Sequence, residues 1–298
     1  MNLTVCRATW DLVSLKVGGA GHEAFLGATP YIISGDFAGQ VNWCTKESAP
    51  LRSLQAFTGS TLALDVSLDG TLVAAGGWDA KPAVKIYDAA TGTLKQTLPL
   101  KDGPASLTFS GDGKTLLVLD ANRTYTWFDL ANGKTLNTWT TPSQITSNLR
   151  GGGAHLFLEW SPGGLLRVYD AQKGRAKFSL RNYNLSGQTF TPDGQWIVTA
   201  GLNGILSSYN TQDGKPGPQV ALGVVAGAGL MAGQSGAEVI ALLQQNTEGQ
   251  PSRILTSAWK VGENTLTPRG TANRLSGGWT VMNLAKTTPV SIALCRAP

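Results

Sequence analysis

The side chains of this 298-residue chain that could carry acid–base, nucleophilic or metal chemistry are two histidines, three cysteines and nineteen carboxylates. His22 and His155 stand far apart, and neither has a second histidine at metal-ligand spacing, so a three-ligand zinc site has no starting point. No Ser or Cys lies in a nucleophile-elbow context, which leaves a catalytic triad without its centre. Cys6, Cys44 and Cys295 are odd in number and widely spaced. They fit neither a disulfide framework nor a CxxC metal site, and reduced thiols are expected. Asp69, Asp112 and Asp193 each precede a glycine, while Asp88, Asp129 and Asp170 each follow an aromatic residue. Acids in such places accept local backbone hydrogen bonds in turns, and that reading outweighs a shared metal or acid–base set.

The acids recur because the chain does. The pairs Tyr87-Asp88, Phe128-Asp129, Tyr169-Asp170 and Tyr209-Asn210 follow one another at steps of 41, 41 and 40 residues. Two turn markers keep the same period. Asp69-Gly70, Asp112-Gly113, Gly152-Gly153 and Asp193-Gly194 mark a first hairpin turn in each unit, and Thr91-Gly92, Asn132-Gly133, Lys173-Gly174 and Asp213-Gly214 mark a last one. Tight hairpin loops need positive φ, which glycine supplies without steric penalty. The segments between are short and rich in β-branched and aliphatic residues, so each unit reads as four antiparallel strands. A period in the low forties built from four short strands is the sequence signature of a β-propeller.

The expected architecture is all-β: a seven-bladed β-propeller of four-stranded antiparallel blades, forming a single domain over residues 1–298. Its blades are placed at about 21–57, 58–100, 103–140, 143–181, 184–222 and 223–268, with a last blade of 271–298 completed by 1–18. Closure by N- and C-terminal strands within one blade would remove two exposed sheet edges. Within the sixth unit, Gln244 to Pro251 reads as an enlarged loop. Cys6 and Cys295 fall in the composite blade, where an oxidised pair would staple the ring if their strands are adjacent; the register is undecided.

Composition agrees with packed sheets and tight turns. Charged residues make up only 14% of the chain, against 37 glycines and 9 tryptophans. The net charge is +5, but the basic residues are scattered, so nucleic-acid recognition is weakly supported. The first residues lack the basic start and apolar core of a secretory leader, and no 18-residue apolar run occurs. A soluble cytoplasmic monomer without membrane insertion is the expectation; a leader removed from the natural chain is left open.

With these residues in hand, the chain resembles the WD-repeat propellers, in particular their divergent bacterial, YVTN-like members. The matching stretches are Ser67-Leu68-Asp69-Gly70, Thr191-Pro192-Asp193-Gly194 and Tyr87-Asp88-Ala89-Ala90-Thr91-Gly92, and the resemblance is strong over 62–215. The Gly-His pair typical of that family occurs once, at Gly21-His22, so its buried His/Asp network cannot be general here. Aromatic packing between blades must stabilise the fold instead. His22 itself is read as structural. The resemblance implies a rigid platform for partners, most often proteins or peptides; with no catalytic constellation in the sequence, a non-enzymatic scaffold with no cofactor and no metal is the expectation.

The loops joining second and third strands gather on one face in that fold. Residues there give the candidate partner-binding set: Asp36, Trp78, Asp79, Lys81, Asn122, Arg123, Trp160 and Asn203. Trp78, Arg123 and Trp160 are expected at loop tips, and aromatics and arginines are the types enriched at interface hot spots. The competing reading folds Trp78 and Trp160 back onto neighbouring blades. Arg175, Lys177 and Arg181 recur on a fourth strand, where protection of an exposed edge is favoured over an acidic-partner patch. An enzymatic alternative is a propeller-class hydrolase or lactonase with a metal in the central channel. It would draw on Asp65, Asn148, Glu159 and Glu238, whose spacing does not bring them together convincingly. A second alternative is a carbohydrate-binding propeller that stacks sugars on its tryptophans.

Overall fold

The computed structural model describes residues 31–45, 50–142, 149–161, 164–181, 185–223, 227–233, 235–245, 253–275, 279–280, 282–285 and 289–292. Chain order and sheet order coincide throughout. Strands β1 (Tyr31–Gly35), β2 (Gln40–Thr45) and β3 (Pro50–Gln55) form a three-stranded sheet. Four sheets of four strands follow. The first holds β4 (Thr61–Val66), β5 (Leu72–Trp78), β6 (Pro82–Asp88) and β7 (Leu94–Pro99), and the second β8 (Pro104–Phe109), β9 (Thr115–Asp120), β10 (Thr124–Asp129) and β11 (Thr135–Thr140). The third holds β12 (Leu149–Gly152), β13 (Leu156–Ser161), β14 (Leu165–Asp170) and β15 (Arg175–Arg181), and the fourth β16 (Leu185–Phe190), β17 (Trp196–Gly201), β18 (Ile205–Asn210) and β19 (Pro216–Ala221).

A five-stranded sheet comprises β20 (Gly227–Ala232), β21 (Glu238–Gln245), β22 (Arg253–Lys260), β23 (Thr267–Leu275) and β24 (Trp279–Thr280), and β25 (Met282–Ala285) pairs with β26 (Pro289–Ile292). The all-β class and the repeating antiparallel four-stranded unit are thus present as the sequence period implies. Among the described residues no sheet closes on itself. The N-terminal strands assigned to the composite blade, with His22 and Cys6, and also Cys295, lie outside the described residues.

The glycine punctuation explains the hairpins. Gly70, Gly113, Gly153 and Gly194 hold φ between 60° and 75°, and Gly92, Gly133, Gly174 and Gly214 hold φ between 59° and 73°. The turn acids do what the sequence asks of them. Asp69 accepts from the Thr71 N–H at 3.0 Å and the Ser67 hydroxyl at 2.6 Å; Asp112 accepts in the same way from Lys114 and Ser110. Asp88 accepts from the N–H groups of Ala90 and Thr91, and Asn210 takes the same part toward Gln212.

Burial falls off along each sheet. The second strands β5, β9 and β17 are buried almost throughout, which is why they read as continuous apolar runs such as Leu116-Leu117-Val118-Leu119. The fourth strands β7, β11, β15 and β19 are mainly exposed and polar. The described residues up to 161, with 167–177, make one compact unit, and those of 164–166 and from 178 onward make another. Inside the first unit, apolar layers fill the spaces between successive sheets. Trp43 packs edge-on to Tyr87 with centroids 6.2 Å apart and donates its indole N–H to the Ala89 carbonyl at 2.9 Å. Fully buried side chains of this size each contribute about 1.5–3 kcal/mol. In the second unit, Leu206, Val220, Val239, Ala241 and Trp259 form a corresponding layer.

The first strands are tied to one another by side chain to main chain bonds. The Phe109 N–H on β8 donates to the Asp65 carboxylate on β4 at 2.8 Å, and the Gly151 N–H on β12 donates to the Thr108 hydroxyl on β8 at 3.2 Å. In these two places a polar side chain of one first strand and a backbone donor of the neighbouring first strand satisfy each other.

Candidate functional site

The β1–β2, β9–β10 and β17–β18 turns share one construction. In the β1–β2 turn, Gly39 has φ 82° and donates its N–H to the Asp36 carbonyl. Its own carbonyl accepts the N–H groups of Ala56 and Phe57, just past the outer strand. The β17–β18 turn repeats this with Gly204 at φ 74°, bonded to Gly201 and capping Leu222. In the β9–β10 turn the same position is Arg123, with φ 62°; its N–H donates to the Asp120 carbonyl at 3.1 Å and its carbonyl accepts from Thr141 at 2.9 Å. Arg123 is the one non-glycine with positive φ among the described residues. A side chain in this left-handed region costs roughly 1–2 kcal/mol relative to glycine's freedom.

Around Arg123 the first unit brings several of the candidates together. Trp78 ends β5 and is 40% exposed, with its backbone bonded to Gly59 and Ser60 and its indole laid against Gly103. Gly103 in turn accepts the Ala121 N–H at 2.9 Å. Asn122 donates its amide to Asp102, whose other oxygen takes the Gly103 N–H at 2.7 Å. Trp78 and the 120–123 turn thus flank one short segment, 101–103. On the other side, the Ser60 hydroxyl donates to the carbonyl of Phe37, a side chain 56% exposed in the β1–β2 turn.

Asp36 and Asp79 have structural work. Asp36 accepts the Gln40 N–H at 2.8 Å across its own turn. Asp79 accepts the Thr58 N–H at 2.9 Å and pairs with Lys85 at 2.6 Å. The Lys85 hydrogen bond is the main cause holding the Asp79 carboxyl below the usual range. Lys85 also lies 4.7 Å over the Phe57 ring, so the pair fastens the β5–β6 loop to the chain entering β4. Lys81 is exposed.

Two of the eight candidates stand elsewhere. Asn203 is exposed in the β17–β18 turn of the second unit, next to Leu202 at 53% exposure. Trp160 is not at a loop tip: β13 runs on to Ser161, and the turn falls at Gly164 with φ 77°. The strand places the Trp160 ring partly inside, with its indole N–H buried and no acceptor for it among the described residues. His155 lies in the turn before β13.

Of the residues grouped for an enzymatic reading, Glu159 and Asp65 hold hydrogen bonds between strands. Glu159 is 1% exposed and accepts the Tyr125 hydroxyl at 2.7 Å; Arg167 reaches its other oxygen at 3.4 Å. Thr141 bonds Tyr169 at 2.9 Å beside it, and Tyr125, Trp139 and Tyr169 cluster with centroids 5.2–6.1 Å apart. Burial, followed by the Glu159 charge, pushes the Tyr125 hydroxyl well above its usual pKa. Burial likewise raises the Asp65 carboxyl to about 6, against the pull of the Phe109 N–H and the Arg150 charge. Glu238 begins β21 in the second unit, and Asn148 lies outside the described residues. Among the described residues, no three His, Cys, Asp or Glu side chains converge as metal ligands. No described helix is long and apolar enough to cross a membrane.

Sequence reasoning overlooked Phe37, Asp102 and the left-handed conformation of Arg123. The last had a signal. Aligning Asp36-Phe37-Ala38-Gly39, Asp120-Ala121-Asn122-Arg123 and Gly201-Leu202-Asn203-Gly204 puts an arginine where its counterparts have glycine. Comparison with known proteins finds no family model and no curated protein that matches the chain.

Proposed function

We propose that this chain is a non-enzymatic β-propeller scaffold of the WD-repeat kind, which holds a protein or peptide partner on the face formed by the turns at 36–39, 78–81 and 120–123. The propeller assignment draws support from sheets whose strands follow chain order and whose first strands lie side by side, β4 on β8 on β12 in one unit and β16 on β20 in the other. The observation that carries the functional reading is Arg123. A turn that elsewhere in the chain uses glycine here keeps a long cationic side chain in the left-handed region and points it to solvent. Strain kept at an exposed position, where relief is one substitution away, is accounted for by something that the side chain contacts. Trp78 and Phe37 add exposed aromatic area on the same unit.

Differential capture tests the reading. Wild-type chain and the Trp78→Ala/Arg123→Gly double variant, both shown folded by their melting transitions, are used to capture partners from extract. A partner retained by wild type and lost by the double variant supports the site, and equal capture by both rejects it.

A further inference from the structure

The exposed face around Arg123 has unequal access to its two kinds of charge. Counted formally it is balanced, with Lys81, Lys85, Lys101 and Arg123 against Asp36, Asp79, Asp102 and Asp120. Each of the carboxylates, however, already accepts at least one hydrogen bond. Asp36 accepts from Gln40 N–H, Asp79 from Thr58 N–H and Lys85, and Asp102 from Gly103 N–H and the Asn122 amide. Asp120, itself 8% exposed, accepts the N–H groups of Asn122 at 3.0 Å and Thr124 at 2.8 Å. Only Lys85 among the cations is used, in its pair with Asp79. Lys81, Lys101 and Arg123 are exposed, and none of the three forms an ion pair or side-chain hydrogen bond among the described residues.

A partner meeting this face therefore finds three exposed cations with no ion pair of their own, beside carboxylates that each already accept at least one hydrogen bond. Beside those cations stands the Trp78 indole, 40% exposed and packed on Gly103. A guanidinium offers a planar fork to a carboxylate, and an aromatic face takes an apolar side chain.

Resting on the scaffold reading above, we infer that the Trp78–Lys101–Arg123 face binds an acidic peptide segment in which a carboxylate stands next to an aromatic or aliphatic side chain. The carboxylate meets Arg123 and Lys101, and the apolar side chain lies on Trp78. Because the face is balanced in formal charge, the selectivity comes from contact rather than from a long-range field, and salt weakens binding only modestly.

The test is selection of a random-peptide phage library on the immobilised full chain, followed by affinity measurement of the selected peptides on wild type, Trp78→Ala and Arg123→Gly. The expected peptides are enriched in Asp or Glu beside Phe, Trp, Leu or Ile. Their affinity falls at least tenfold in either variant, while Arg123→Gly melts no lower than wild type, which separates lost contact from lost folding. Peptides that depend on Trp78 but show no acidic enrichment, and bind Arg123→Gly as well as wild type, overturn the acidic class and leave the scaffold face standing. Selected peptides indifferent to both substitutions, or no selected peptides at all, overturn the face itself.

Discussion

The indole of Trp78 lies on Gly103 so closely that a Cβ there would stand 2.6 Å from Cζ2 and 2.8 Å from Nε1. That contact couples β5 to the segment entering β8, because Gly103 also accepts the Ala121 N–H. Gly103→Ala must drive the ring away. Trp78 is exposed enough to swing into solvent, so the expected cost is about 1–2 kcal/mol rather than failure to fold. In a Trp78→Ala background the same substitution costs almost nothing, and a denaturation double-mutant cycle reads the difference. Independent, additive effects would mean that the two residues are not in contact in solution.

Arg123→Gly is expected to stabilise the chain. Relief of the left-handed conformation returns roughly 1–2 kcal/mol, and the extra freedom of glycine in the unfolded chain takes back roughly 0.5–1 kcal/mol, leaving a gain of about 0.5–1 kcal/mol. Arg123→Val, which adds β-branching at the same φ of 62°, goes the other way. Urea midpoints for the three proteins give the order Gly, Arg, Val; an Arg123→Gly variant less stable than wild type would show that the side chain makes a folding contact.

The contrast between turns and site shows what a single sequence can carry. Turn chemistry is local, and the aspartates and glycines of Ser67-Leu68-Asp69-Gly70 and its counterparts state their hydrogen bonds and φ values within five residues. The strand count of the central units follows from the same punctuation. Trp160 reads as a loop residue because Ser161, Pro162 and Gly163 after it are turn-forming types, whereas β13 continues through Trp160 to Ser161. The pairing of Asp79 with Lys85 depends on how the β5–β6 loop folds over β6, and that of Glu159 with Tyr125 on which faces of two strands meet. A period of about forty residues gives the order of strands, not those meetings.

Glu159 supplies the second kind of prediction. Its carboxylate holds the Tyr125 hydroxyl and the Arg167 guanidinium in a site with 1% exposure. Glu159→Ala leaves that hydroxyl unpaired and a half-buried cation without its counter-charge, and should cost about 3–5 kcal/mol. Glu159→Gln keeps one acceptor oxygen and should cost about half as much. Removing Arg167 as well, in Glu159→Gln/Arg167→Met, should recover part of the loss, since no unpaired charge remains. Thermal unfolding of the four proteins checks the order, and a double variant weaker than Glu159→Ala would sink the charge-pair account.

Asp65 sets a pH dependence whose sign differs from that of an ordinary surface acid. Burial raises its pKa from 3.8 to about 6, so the folded chain holds the proton more tightly than the unfolded one. Its contribution to stability is therefore fully present below 3.8 and is lost as pH rises through about 6. Asp65→Asn removes this loss and keeps an oxygen to accept the Phe109 N–H. Asp88 and Asp213, whose pKa values are lowered, act in the opposite direction, but both are present in each protein. The difference between wild type and variant isolates Asp65. Denaturant unfolding at intervals between pH 4 and pH 7 should show the variant gaining on wild type as pH rises and at least matching it at pH 7. A difference that stays constant across this range would mean that the Asp65 carboxylate is as well stabilised in the folded chain as in water.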